Sequence, residues 1–191
     1  GEPLSRDDVG TLATHARALG LTPVVTTSGL GITPDRARAL RDFAQVNVSH
    51  DGVGDGYATV RGFDGAAMAD RAVTTLVSAG IAVGVNHVLT RQNVDGLAAM
   101  AEHVVSLGAR ELQLLRYKPA GRAASLDYLA RRLTPDQVRT AVQAIERLAV
   151  AHEGRLSLRV DCAMVPWFVD RVTDADALAR YGVFGCEAGG H

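Results

Sequence analysis

The chain has 191 residues, enough to bury a core, and at 47% hydrophobic but only 5% aromatic residues that core rests on Ala, Val and Leu. Twenty basic residues against 21 acidic ones give a formal net charge of −1, which leaves no electrostatic footprint for nucleic acid. No apolar run reaches the ~20 residues that span a bilayer, and two cysteines, Cys162 and Cys186, are too few for a disulfide scaffold. The expectation is a cytoplasmic protein without a membrane or nucleic-acid partner.

The first helix is predicted to start near Ser5, with Asp8 completing a weak capping box. Val9, Leu12, Ala13, Ala16 and Leu19 follow helical spacing, and Gly20 stops the run. Residues 22–27 (TPVVTT) read as a short buried strand closed by Ser28 and Gly29. Thr33-Pro34 opens a second helix, with Thr as N-cap and Pro in the first turn. Residues 45–49 (QVNVS) form the next strand, and 65–79 a helix with Met68, Ala72, Leu76 and Ala79 on one face. A strand at 81–89 follows, then a helix capped by Asn93 with a stripe of Leu97, Met100, Ala101, Val104 and Leu107, then a strand at 111–116. Short apolar strands separated by helices predict parallel pairing with right-handed crossovers. An open doubly wound sheet and a barrel segment both satisfy that pattern.

After Lys118-Pro119 the pattern changes, and a boundary is placed near 118–133. Residues 120–132 read as a loop with one turn of helix. Thr134-Pro135 with Gln137 opens a long helix through Val138, Val142, Ile145 and Leu148. A strand at 155–160 and an irregular stretch with the sole Trp come last.

In parallel α/β architectures ligands sit at the carboxyl ends of the strands. The residues there are Gly1-Glu2-Pro3, Thr27-Ser28-Gly29, Ser49-His50-Asp51-Gly52, Asn86-His87 and Arg116-Tyr117-Lys118-Pro119. They are small and polar, with hydrogen-bonding groups for an amino acid or a ribose, although loop tips are commonly polar on any account.

As an ordered set, these segments resemble the radical S-adenosylmethionine (radical SAM) enzymes. Gly1-Glu2-Pro3 resembles the end of that family's Gly-Gly-Glu-Pro motif, which receives the amino group of SAM. Thr26-Thr27-Ser28-Gly29 resembles its "TTNG", and residues 46–52 (VNVSHDG) its "VSVSLDG". Arg61-Gly62 stands where the family has Arg-Gly, and Asn86-His87-Val88-Leu89-Thr90 with Asn93 resembles "NTVLTKxN". The resemblance implies an α/β fold, a partial TIM-like (β/α) barrel that begins at the end of its second strand. Residues 1–118 would be that barrel, and 119–191 a bridging region entering a SPASM domain, the region that carries auxiliary iron–sulfur clusters.

The resemblance also implies roles. Gly1, Glu2 and Pro3 would meet the SAM amino group, Ser49 and Arg61 its carboxylate or ribose, and Asn86 the sugar, with the backbone at Leu115 and Arg116 beneath the adenine. Arg offers a planar fork for a carboxylate. His50 departs from the usual Leu and is expected in a packing or surface role rather than facing the site; His15, His103 and His152 are expected at surface or boundary positions. The segment 185–190 (GCEAGG) resembles the "GCxAG" that opens a SPASM domain, which makes Cys186 an expected auxiliary-cluster ligand. Cys162 is expected as a small buried thiol, with an extra cluster ligand or a substrate-side residue as the alternatives. The family's C-x-x-x-C-x-x-C loop, whose thiolates bind the [4Fe–4S] cluster that chelates SAM, lies upstream of the Gly-Glu-Pro; the parent protein is therefore expected to be longer and these residues alone to be inactive.

The implied activity is reductive cleavage of SAM to a 5′-deoxyadenosyl radical that takes hydrogen from a substrate, with a ribosomally made peptide as partner. A flavodoxin or ferredoxin would supply the electron. Two rivals stand beside it: a degenerate barrel that binds a peptide or SAM without catalysis, and a barrel lyase using Lys118, the sole lysine, as a Schiff-base nucleophile. A barrel lacking its first strands exposes a strand edge, so the chain alone is expected to self-associate.

Overall fold

Apolar runs too short for helices, set between helix formers, give a sheet whose strands lie in sequence order. The structure, a computed structural model, describes residues 1–168 apart from Leu126 and the side chains of Arg122 and Ser125. Its strands are β1 (Val24–Thr27), β2 (Gln45–Ser49), β3 (Val83–Leu89), β4 (Glu111–Arg116) and β5 (Ser157–Val160). All pair in parallel, in the order β1-β2-β3-β4-β5. A doubly wound sheet reverses its strand order at a switch point. Here every neighbour is the next strand, as in a barrel wall, and the chain forms a partial TIM-like barrel.

The helices are α1 (Val9–Ala18), α2 (Pro34–Ala39), α3 (Asp55–Arg61), α4 (Ala66–Ser78), α5 (Leu97–Ser106), α6 (Tyr128–Arg131) and α7 (Pro135–Ala151). Strand parity decides what each face does. Val46 and Val48 of β2, Val83, Val85 and Leu89 of β3, Leu112 and Leu114 of β4 and Leu158 and Val160 of β5 are buried. They pack with Ala69, Val73 and Leu76 of α4, Leu97, Met100 and Val104 of α5, and Val142 and Ile145 of α7. Each Val, Leu, Ile or Met side chain among them contributes about 1.5–3 kcal/mol when fully removed from water.

The opposite parity lines the inner face with polar groups: Thr26, Asn47, Gly84, Glu111 and Ser157 in one row, and Ser49, Asn86, Gln113 and Arg159 around it. Gln45 Nε2 donates to Asn47 Oδ1 and to Glu111 Oε1, both at 2.7 Å. Gly84 leaves room for this bridge, because a Cβ there would stand 2.8 Å from Gln45 Nε2.

Several local expectations change. α1 begins at Val9 rather than Ser5, and Pro3–Ser5 forms a 3-10 turn instead. Asp8 makes no capping bond because Arg6 holds both of its oxygens, at 2.8 and 2.7 Å. Asn93 does not cap α5 directly; a 3-10 turn (Val94–Gly96) intervenes. Its buried amide instead donates to the carbonyls of Val88 (2.8 Å) and Asp51 (3.0 Å) and accepts from Thr90 N at 2.8 Å. The helix α3, rich in glycine at its start, has no counterpart in the sequence pattern. The box at Thr134 and Gln137 is present as predicted. His152, at the end of α7, is buried rather than superficial.

Candidate active site at the strand ends

Parity carries past the strand ends. His50 follows Val46 and Val48 to the helix side, while Asp51 follows Ser49 toward the barrel mouth. Asp51 is 2% exposed and takes two donors there. Its Oδ1 accepts from Val88 N at 2.7 Å, and its Oδ2 accepts from Arg61 Nε at 2.5 Å. Asp51 thereby ties the ends of β2 and β3 to the last turn of α3 and fixes the Arg61 guanidinium. No other hydrogen bond to Arg61's side chain exists among the described residues, so its terminal N–H groups remain for a ligand.

α3 is held at its start by Gly52. A Cβ at that position would meet the Gly56 carbonyl and Tyr57 N at 2.7 Å, backbone atoms that cannot step aside. Arg61 lines a cleft of about 690 Å³ with Asp51, Leu115, Arg116, Lys118 and Asp161. Leu115 pairs with Val88 on the inner face, whereas the Arg116 side chain takes the other parity. Its guanidinium donates to Ala163 O at 3.3 Å and lies 5.8 Å from the Trp167 ring centroid, a cation–π contact.

Ser49 and Asn86 are register partners on the inner face. Asn86 Nδ2 reaches Thr26 Oγ1 at 3.4 Å, and its Oδ1 is buried with no partner among the described residues. A buried acceptor without a donor costs about 1–3 kcal/mol, and a sugar hydroxyl would satisfy it.

Glu2 closes the β1 side. Its Oε1 accepts from Leu4 N (3.1 Å) and Thr27 Oγ1 (2.7 Å), and its Oε2 from Ser28 N (2.8 Å) and Ser28 Oγ (2.6 Å). Burial pushes this carboxyl up, but the Ser28 and Thr27 donors outweigh it and hold it below its ordinary value. Four donors fill the acceptor sites of a carboxylate. The side chain thus fastens the first residues to the end of β1, and the Glu2 carbonyl is likewise taken, by Ser5 N and Oγ.

On the far side, Lys118 Nζ lies 2.7 Å from Asp161 Oδ2. Burial raises the Asp161 carboxyl, yet bonds from Lys118 and Ala163 N bring it below its usual range. A Schiff-base lysine needs an apolar or cationic setting; Lys118 instead pairs with the Asp161 carboxylate and is half exposed. Cys162, expected as a buried thiol, is exposed, with its Sγ 3.5 Å from Asp161 Oδ1. Cys186 lies outside the described residues.

Among the described residues, no helix is long and apolar enough to cross a membrane. No family model matches the chain. It is 37% identical over 123 residues to a PqqA peptide cyclase of Streptomyces rochei, covering 60% of this chain and 32% of that protein. Mycofactocin maturase MftC of Mycolicibacterium smegmatis is 36% identical over 130 residues, 66% of this chain and 33% of its own. The chain therefore spans about a third of the length of these relatives. Crystal structures of Streptococcus suis SuiB share the fold over 98% of this chain. The form bound to S-adenosylmethionine has a TM-score of 0.72 at 14% identity and 44% coverage of its own chain. The form bound to precursor peptide SuiA has a TM-score of 0.73 at 13% identity and 43% coverage.

Proposed function

Since the chain belongs to the radical SAM/SPASM maturase family, we propose that the protein containing it cleaves S-adenosylmethionine reductively and takes hydrogen from a peptide substrate. A [4Fe–4S] cluster would supply the electron when bound, fed by a flavodoxin- or ferredoxin-type donor in the cytoplasm. The observation that carries the reading is the barrel mouth itself, where the ordered motifs of the sequence stand side by side on consecutive strand ends.

The residues divide the work. Arg61, oriented by Asp51, holds the SAM carboxylate through its terminal N–H groups; a guanidinium fixed in advance loses less entropy on pairing. Asn86 and Ser49 take the ribose, with the unpartnered Asn86 Oδ1 as the acceptor. The adenine lies against the inner surface at Leu115, over the Leu115–Arg116 backbone. With the Glu2 carboxylate and carbonyl occupied and the Pro3 carbonyl accepting from Arg6 N at 3.2 Å, the ammonium goes to the main-chain carbonyl of Gly1. Residues 119–191 bridge to a SPASM region in which Cys186 binds an auxiliary cluster, and the exposed Cys162 at the end of β5 stands as a further ligand. The relatives' names, a peptide cyclase and a maturase, support a peptide substrate.

The test is anaerobic iron and sulfide analysis of the full-length protein after cluster reconstitution, followed by reduction with SAM. About four or more irons per chain and formation of 5′-deoxyadenosine are expected. No bound iron and no 5′-deoxyadenosine would instead favour a degenerate barrel that binds a peptide or SAM without catalysis. In Asn86→Ala the affinity for SAM should fall about 10-fold, the worth of one buried hydrogen bond.

A further inference from the structure

Behind the sheet, on the side away from the barrel mouth, three side chains from three elements meet at one point. His50 follows β2, Asp70 lies on α4 and His103 on α5. His50 Nε2 is 2.9 Å from Asp70 Oδ1, and His103 Nε2 is 2.7 Å from the same oxygen. The three ligating atoms all lie within 4.8 Å of one another. The two imidazole planes stand at 77° with centroids 5.7 Å apart, so the rings aim the same nitrogen at a shared centre without stacking. The His50 side chain is fully buried, whereas those of His103 and Asp70 are 22% and 30% exposed, which leaves a route for an ion from solvent.

We propose that His50, Asp70 and His103 form a binding site for one divalent transition-metal ion of the Zn²⁺ class, separate from the SAM cleft. Zn²⁺ binds imidazole nitrogen at about 2.0–2.1 Å and carboxylate oxygen at about 2.0–2.2 Å. In a tetrahedral arrangement those bonds set neighbouring ligand atoms about 3.4 Å apart. The two His–Asp separations, 2.9 and 2.7 Å, need to open by roughly 0.5–0.7 Å to reach it, a side-chain adjustment rather than a rearrangement. Two imidazoles and one carboxylate suit Zn²⁺, Fe²⁺ or Co²⁺ over Mg²⁺ or Ca²⁺, which prefer all-oxygen shells. The solvent side supplies water for the fourth position.

Ligation at Nε2 puts the His50 ring proton on Nδ1. That nitrogen has no partner among the described residues, so the change of tautomer breaks no hydrogen bond there. The ion would cross-link the end of β2 to both α4 and α5. His50 is also where the chain departs from its resemblance, which has Leu at this place. A leucine would fill the same buried slot without needing a polar neighbour.

The experiment is equilibrium dialysis of the cluster-reconstituted full-length protein against Zn²⁺, with zinc counted by mass spectrometry, beside His50→Leu and His103→Ala. Zinc held by cysteines is common to all three proteins and cancels in the difference. The native protein should hold one equivalent more than either variant, with a zinc-edge absorption spectrum showing a nitrogen and oxygen shell for that equivalent. Affinity in the variants should fall by more than the roughly 10–100-fold that loss of an outer-sphere partner costs. Equal zinc in native protein and His103→Ala, or an extra equivalent bound by sulfur, would overturn the proposal. His103→Ala replaces a side chain that is 22% exposed and decides the question alone should His50→Leu fail to fold.

Discussion

The Asp51 carboxylate offers the sharpest test of how the barrel mouth is held. Asp51→Ala strips the Val88 N–H of its acceptor, at a cost of about 1–3 kcal/mol for a buried donor. It also removes a charge-assisted bond to Arg61, worth about 1.5–3 kcal/mol. The Arg61 side chain is 33% exposed and can turn to water, so about half of that second figure is recovered. The net loss is about 2–4 kcal/mol. Asp51→Asn keeps an oxygen for Val88 and loses only the charge, about 1 kcal/mol. Native-state hydrogen exchange of the full-length protein, followed over residues 83–89, reads the difference directly. Opening should accelerate about 30- to 700-fold in Asp51→Ala and about 5-fold in Asp51→Asn. Equal exchange in the two variants, or acceleration under about 3-fold in the alanine variant, would show that Val88 does not depend on this carboxylate.

Other expectations follow from the same geometry. Gly84→Ala should displace the Gln45 and Asn47 side chains and lower stability by about 1–3 kcal/mol, with part of the loss recovered in Gly84→Ala/Asn47→Ser; denaturant midpoints check both. Gly52→Ala meets backbone rather than side chains, so no second substitution of that kind should rescue it, and SAM binding should weaken with the displacement of α3. Glu2 has a folded pKa below its ordinary value of 4.5; its contribution is therefore complete above that value and lost as pH falls through it toward the folded pKa. Protection factors over residues 1–8, exchange corrected for its intrinsic pH dependence, should fall on acidification below about pH 4.5 and be low and less pH-dependent in Glu2→Gln. The 191-residue chain expressed alone should self-associate through the open edge of β1, where Leu21, Val24 and Leu30 are more than half exposed; a monodisperse monomer in sedimentation would refute this.

The strands and most helices were legible because apolar spacing and capping residues act locally. The Thr134 and Gln137 box is an example in which sequence and structure agree to the residue. Asp8 misled because Arg6, two residues away, competes for the same carboxylate, and only the folded geometry ranks the two partners. Asn93 misled for a longer-range reason: its amide bonds reach Asp51, 42 residues earlier, and no local pattern announces them. α3 hid behind Gly52, Gly54 and Gly56, glycines that read as a loop although Gly52 serves close packing. For the site, the strand ends mark Ser49 and Asn86, whereas Arg61, on α3, is marked only by the resemblance to the family's Arg-Gly. That Asp51 orients Arg61 follows from strand parity, which places Asp51 and His50 on opposite faces. Cys162 could not be assigned from sequence, since a thiol just past a strand is buried or exposed according to the turn that follows.

The polar inner face separates two kinds of constraint along the same strands. Residues of one parity are locked by packing against helices, so exchanging any of them disturbs the volume of a shared core. Those of the other parity, Thr26, Asn47, Asn86 and Gln113 among them, border the barrel interior, and their replacement alters what can lie there without re-sorting the helices. A lineage that keeps the first set and varies the second can take up new substrates with little loss of foldability. Substitutions among descendants of this chain should accordingly accumulate with a two-residue rhythm along each strand.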